Sequence, residues 1–368
     1  MMKERDIRSS LFVVVAVLLA VGVVMIYSAS AIYAGEKMGD NFFYLKRHLI
    51  YLVLGIAMML GVMAVDMQKL RRFSKPLIFF SALMLLLVLV PHLGREAGGA
   101  RRWFKLGPLN FQPSEFAKFA VIIYIADFAA RRKNVMKSFW QGYVPPMMVI
   151  GGIAVLVLAE PDLGTAIAVV AIGLLMLFAS GVSILHIAAS LLAGLPALYA
   201  LIFSAPYRKK RMLAFLNPWA DKRGVGFQII QSFVALGSGG LFGVGLGQSR
   251  QKLFYLPASH TDFIFSIIGE ELGFFGAACV VVLFMIFVWQ GMRIAFSAED
   301  DFLRFLCFGI VSLIAFEAIV NIGVVSGLLP TKGLPLPFIS YGGTALVFHL
   351  MAVGVILNVA KTSEVIRR

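Results

Sequence analysis

The chain has 368 residues, 60% of them hydrophobic and 14% charged, with a formal net charge of +14. Soluble domains carry about 25% charged residues, so this composition excludes a soluble globular protein. Water is absent from a bilayer core, so each span must be a helix or part of a closed barrel. The apolar runs do not alternate with polar residues, and helices follow.

Lys3, Arg5 and Arg8 precede the first apolar run, residues 11–31. That run exceeds a signal-peptide core of about 7–15 residues and reads as an uncleaved first span. Further apolar segments cover residues 49–65, 77–90, 116–130, 143–159, 163–179, 184–203, 263–288, 302–329 and 341–360, ten in all. Segments 77–90 and 116–130 fall short of the ~20 residues a span needs and are expected to extend through polar flanks facing the bundle interior. Cys279 and Cys307 lie inside apolar runs, as small hydrophobes with no disulfide or metal spacing.

An even number of spans puts both termini on one side. Outside the long 206–261 loop, Lys and Arg favour the terminal side two to one. The termini are therefore expected in the cytoplasm and the loop outside. The outer loops still hold many cations: Arg101, Arg102 and Lys105 in one, and Arg208 to Arg211, Lys222, Arg223, Arg250 and Lys252 in the other. Read from charge alone, these either meet solvent and lipid headgroups or hold an anionic ligand. Residues 227–236 form an amphipathic pattern too short to span, expected at the interface. The Gly-rich stretch 237–247 reads as flexible backbone able to approach a phosphate.

Asp262 ends this loop at the mouth of an apolar helix, flanked by His260 and Thr261. An ionisable residue at such a boundary is a functional candidate. A carboxylate, flexible backbone and cations at a membrane face point to chemistry on a phosphorylated lipid. Glu115 and Lys118 are three apart on one helix face behind Pro113. They either neutralise each other, or Lys118 also reaches Asp262 or the substrate. Glu270, Glu271, Glu160, Asp162 and the Glu317/Asn321 pair are further polar groups in or beside spans. Each either functions or ties helices together. His186 and His349 are isolated in sequence, so no metal ligand set is assigned.

Residues 321–344 combine prolines and glycines into an ordered outer loop ending in Ser340, Tyr341, Gly342 and Gly343. With Gly99-Ala-Arg-Arg-Trp103, Gln112-Pro-Ser-Glu115 followed by Lys118, Pro161-Asp-Leu-Gly-Thr165, Gly239-Gly240, His260-Thr-Asp-Phe263 and Gly269-Glu-Glu271, the chain resembles the FtsW/RodA (SEDS) family over nearly its whole length. The resemblance implies an all-α polytopic membrane protein: one domain, residues 1–368, ten transmembrane helices and a large external loop between the seventh and eighth. It implies a peptidoglycan glycosyltransferase that polymerises undecaprenyl-linked lipid II on the outer face of the inner membrane. Asp262 is then the essential acidic residue, with Glu115 and Lys118 as an acid–base pair. Residues 251–257 and 331–334 resemble the division branch more than the elongation branch, with a sporulation paralogue as an alternative.

The chemistry fits. One carboxylate takes the proton of the attacking sugar hydroxyl. The lipid diphosphate leaves as a stable anion, so the second acid of a glycosidase is unnecessary and inversion follows. Cations must hold that diphosphate: Arg101, Arg102, Lys105, Arg250, Lys252 and Lys332 are the candidates, or a divalent Mg2+ or Mn2+ arriving with it. No tightly bound cofactor and no nucleic acid is expected. The expected partners are a class B penicillin-binding protein, which crosslinks the strand, and other divisome membrane proteins at the septum. The rival readings are a lipid II flippase or transporter and a structural scaffold.

Overall fold

The structure is a computed structural model that describes residues 4–366 apart from 98, 108, 223, 254, 258 and 332. Lys332 therefore lies outside the described residues. In chain order come helices α1 (Glu4–Met38), α2 (Phe43–Met63), the short α3 (Met67–Arg72) and α4 (Ser74–Leu89). Strands β1 (Gly94–Ala97), β2 (Ala100–Leu106) and β3 (Leu109–Phe111) then form an antiparallel sheet in that order. Helices α5 (Pro113–Arg131), α6 (Val144–Ala159), α7 (Leu163–Ala179) and α8 (Ile184–Phe203) follow. The loop helices α9 (Pro206–Leu216) and α10 (Gly226–Ser238) precede α11 (Ile264–Ser297), α12 (Asp301–Val325) and α13 (Gly343–Ile366).

Among the described residues, seven helices are long and apolar enough to cross a membrane by length and composition: α1, α2, residues 139–159 containing α6, α8, α11, α12 and α13. The other three expected spans differ for physical reasons. α4 and α7 are apolar but have 16 and 17 residues. α5 carries Glu115, Lys118, Asp127 and Arg131, and packs against α4, α7 and α12, which bury those first three. α4 and α5 do extend into their polar flanks, and the added Ser74 and Glu115 are buried. Asp162 caps α7 by accepting from Thr165 N at 3.1 Å, and Asp300 caps α12 through Leu303 N at 3.0 Å.

The loops at residues 94–111 and 206–261 are more ordered than their sequence indicates. Residues 94–111 make the small sheet, with Gly94 opposite Phe104 and Lys105 opposite Asn110. Tyr51 of α2 anchors it, its hydroxyl accepting from Asn110 N at 2.7 Å. The segment expected to be an interfacial helix folds as α10, and α9 is a second helix in the same loop. The Gly-rich stretch lays its backbone against α11. It mends α11, which breaks at Gly273 where φ is 68°. Val244 N and Gly245 N donate to Glu270 O and Glu271 O at 3.0 and 3.1 Å. In return, Phe274 N and Phe275 N donate to Gly240 O and Leu241 O at 2.9 and 3.2 Å. Backbone groups at membrane depth need such partners.

Candidate active site

Asp262 sits just before α11, and its backbone is held from two sides. Asn321 of α12 donates its amide to Asp262 O at 2.9 Å and to Leu334 O at 2.8 Å. Ser340 Oγ donates to Thr261 O at 2.7 Å, and Tyr341 N donates to His260 O at 3.0 Å. The loop between α12 and α13 thus clamps residues 260–262. The His260 ring lies among Tyr44, Tyr341 and Tyr33, with centroids 4.4, 5.9 and 6.0 Å away. Burial pushes its imidazole down to about 4, so His260 is neutral and serves as packing, not as a charge.

The half-buried Asp262 side chain lines two adjoining cavities of about 740 and 380 Å3. Both also touch Arg102, Trp103 and Gly333. A Cβ on residue 333 would lie 3.1 Å from Asp262 Oδ2, so glycine permits this close approach. The larger cavity extends past Asp162 to Arg208 and Arg211 of α9 and to an apolar wall of Ile167, Leu198, Ile202 and Met212. The smaller one reaches Glu115, Gln112, Tyr51, Tyr341, Gly342 and Gly343.

Burial pushes the Asp262 carboxyl up to about 6; Arg211 and Arg102 pull it down and Asp162 pushes it up. Arg102 is braced against the α6–α7 turn, its Nε donating to Glu160 O at 2.9 Å and its Nη2 to Pro161 O at 2.6 Å. Its Nη1 lies 3.7 Å from Asp162 Oδ2. Arg208 donates to Leu201 O and to Tyr207 Oη at 3.0 and 2.8 Å. Arg211 has no carboxylate within ion-pair distance among the described residues and lines the larger cavity. Behind the turn, Glu160 is fully buried, and both carboxyl oxygens lack a partner among the described residues. Burial pushes it up to about 8, so it is a neutral acid at pH 7.

Comparison with known proteins gives this geometry a lineage. The family described as cell cycle protein, which unites FtsW, RodA and SpoVE, matches residues 8–365. The chain belongs to this family. A probable peptidoglycan glycosyltransferase FtsW of Geobacter sp. (strain M18) is 47% identical over 344 residues, 94% of each chain. Stage V sporulation protein E of Bacillus subtilis (strain 168) is 45% identical over 354 residues, 96% of this chain and 97% of that one. Among solved structures, one described as showing "structural coordination of polymerization and crosslinking by a peptidoglycan synthase complex" aligns with a TM-score of 0.77. It shares 32% identity and covers 96% of this chain and 97% of that one. The rod shape determining protein RodA of Thermus thermophilus aligns with a TM-score of 0.72 and 30% identity over 95% of both chains.

Within this family fold, the residues singled out from sequence separate into two groups. Asp262, Thr261, Glu115, Arg102, Tyr341, Gly342 and Gly343 line the cavities, and Ser340 and His260 hold the Asp262 loop. Arg101 pairs with Glu96 at 3.3 Å, and Lys105 is exposed on β2; neither lines a cavity. Arg250 is exposed, with its backbone N–H on Glu270 at 2.9 Å. Lys252 is buried on Glu271 and Ser28 at 2.8 and 3.1 Å, where it fastens the loop to α11 and α1. None of these four cations lines either of the two cavities beside Asp262.

Lys118 is placed differently from the expected contact with Asp262. Its ammonium lies 2.9 Å from Glu115 Oε1 and also bonds Glu317 of α12. Glu317 Oε2 in turn accepts from His349 Nε2 of α13 at 2.6 Å. His349, isolated in sequence, is thus brought into a buried quartet. Ligand atoms of Glu115, Glu317 and His349 lie within 4.8 Å of one another. Lys118 fills that space, so the cluster suits an ammonium and not a metal ion. Sequence reasoning named Arg208 and Arg211 only as loop charges and Trp103 only as part of a motif. The signal available was the helical spacing of α9, which sends Arg208 and Arg211 to one face three residues apart.

Proposed function

We propose that this chain is a peptidoglycan glycosyltransferase that extends glycan strands from undecaprenyl-linked lipid II, with Asp262 as the general base. The observation that carries this is the Asp262 carboxylate itself. It sits in a cavity with arginines on one side and an apolar wall beyond, and its proton affinity is tuned toward neutral pH. At pH 7 it is ionised and still basic enough to accept a hydroxyl proton.

In the step, the acceptor sugar's hydroxyl proton passes to Asp262 while the oxygen bonds the donor's anomeric carbon. The bond from that carbon to the diphosphate breaks, and the electron pair leaves with the lipid diphosphate. Arg211 and Arg102 meet the developing charge. Ile167, Leu198, Ile202 and Met212 offer the polyprenyl chain an apolar surface. Attack opposite the leaving group inverts the anomeric centre. Asp162 and Asp262, both on the cavity wall, would hold a divalent cation arriving with the diphosphate, which would neutralise the charge of the leaving group.

The chain is read as a single domain spanning the inner membrane ten times, with cytoplasmic termini and Asp262 facing outward at the septum. Crosslinking is left to a class B penicillin-binding protein and the wider divisome. Purified wild-type protein and D262N, assayed for glycan chains per folded molecule, test the activity. Polymerisation that survives in D262N ends the assignment of the base. Transport of lipid II without polymerisation by the wild type favours the flippase reading.

A further inference from the structure

The quartet raises a question that pairing alone does not answer. Glu115, Lys118, Glu317 and His349 are 3%, 2%, 0% and 1% exposed, yet Glu115 Oε2 has no partner among the described residues. A buried acceptor left unmade is unfavourable, and this one belongs to a side chain that lines the cavity shared with Asp262. Lys118 has three N–H groups and could cover both Glu115 oxygens. It instead sits between Glu115 Oε1 and Glu317 of α12, and His349 lies 2.6 Å behind Glu317.

α12 also carries Asn321 one turn after Glu317, on the same face. Asn321 holds the Asp262 backbone at 2.9 Å. One helix therefore sets the Glu115 carboxylate and the Asp262 backbone relative to each other. The His349 ring packs 5.8 Å from Phe338 in the loop that clamps residues 260–262, which fixes the far end of the chain of contacts.

We propose that Glu115 accepts a hydrogen bond on Oε2 from the substrate, from a sugar hydroxyl or an amide N–H. We further propose that Glu317, braced by His349, is a positioning residue that keeps this oxygen bare by holding Lys118 away. The proposal rests on the reading of the cavity as the lipid II site. It assigns Glu115 to binding, separate from the proton transfer at Asp262.

The test measures the lipid II Kd in a D262N background, which blocks turnover. Glu115→Met removes the acceptor and leaves Lys118 paired with Glu317; about a tenfold weaker Kd is expected. Glu317→Gln lets Lys118 close over both Glu115 oxygens, and a similar loss is expected. His349→Gln keeps the Glu317–Lys118 pair and weakens binding about threefold. It stands in if Glu317→Gln fails to fold. The decisive protein is Glu115→Met/His349→Gln, expected to bind like Glu115→Met alone, because bracing a missing acceptor has no effect. Unchanged binding in Glu115→Met overturns the proposal, as do additive losses in the double variant. If D262N itself loses lipid II binding, the failure belongs to the Asp262 reading. The same comparison then runs on KM with Asp262 present.

Discussion

Asp127 and Asp262 are both aspartates beside the bundle core, and their surroundings could hardly differ more. Asp127, near the far end of α5, accepts from Arg71 at 2.9 Å, Arg131 at 2.6 Å and Ser74 at 2.6 Å. Asp262 has its backbone gripped on several sides, while its carboxylate faces two cavities with arginines nearby but no ion pair among the described residues. The Asp127 carboxylate has its lone pairs answered by fixed donors, as a structural role requires. The Asp262 residue is immobilised through its main chain with room left at its oxygens, as the proposed role in chemistry requires.

Exchanging each for asparagine gives the largest contrast. D262N should lower polymerisation by 10²–10⁴-fold, the typical worth of a positioned base, while expression and lipid II binding persist. D127N should leave activity per folded molecule near normal and lower stability by about 1–3 kcal/mol, as two arginines lose their acceptor. Thermal melting beside a glycan-chain assay reads both. A D262N protein that merely melts early would erase the distinction.

The arginines at the two ends should differ as well. Arg211→Ala removes a cavity cation with no carboxylate partner among the described residues, and lipid II binding should weaken about 10- to 100-fold, more at low salt. Arg131→Ala, at the Asp127 end, should leave lipid II affinity unchanged in the same titration.

Proton affinity sharpens the contrast further. With the Asp262 carboxyl at about 6, turnover should fall about tenfold per unit below that pH and level off above it. The stability sign is opposite. Burial raises this carboxyl from 3.8 to about 6, so its contribution to folding is full below 3.8 and lost as pH rises through 6. D262N should remove that part of the pH dependence of melting. The smallest effect expected is from Gly333→Ala: a Cβ 3.1 Å from Asp262 Oδ2 should lower turnover about threefold, under ~1 kcal/mol, with lipid II affinity unchanged.

Much of the helical framework was legible because a span must be apolar along most of its length. Asp262 was legible because a carboxylate at a helix mouth stands out against apolar neighbours. The sheet of residues 94–111 was not, since its strands are short and rich in charge and follow no buried alternation. Nor was the fate of Lys118. Its spacing from Glu115 is local and readable, but Glu317 and His349 lie 199 and 231 positions away in sequence, and only helix packing brings them to it. For the same reason Lys252, read from sequence as a candidate diphosphate cation, is a buried tie to Glu271.

The break in α11 bears on how the molecule is assembled in the bilayer. Residues 240–245 emerge from the ribosome before α11 does, yet they hold hydrogen-bond partners for both sides of the Gly273 break. Until they dock, that helix carries open backbone groups into lipid. Insertion of α11 and folding of the preceding loop are therefore expected to be coupled, so that the end of the loop carrying Asp262 is completed as the helix that follows it is threaded.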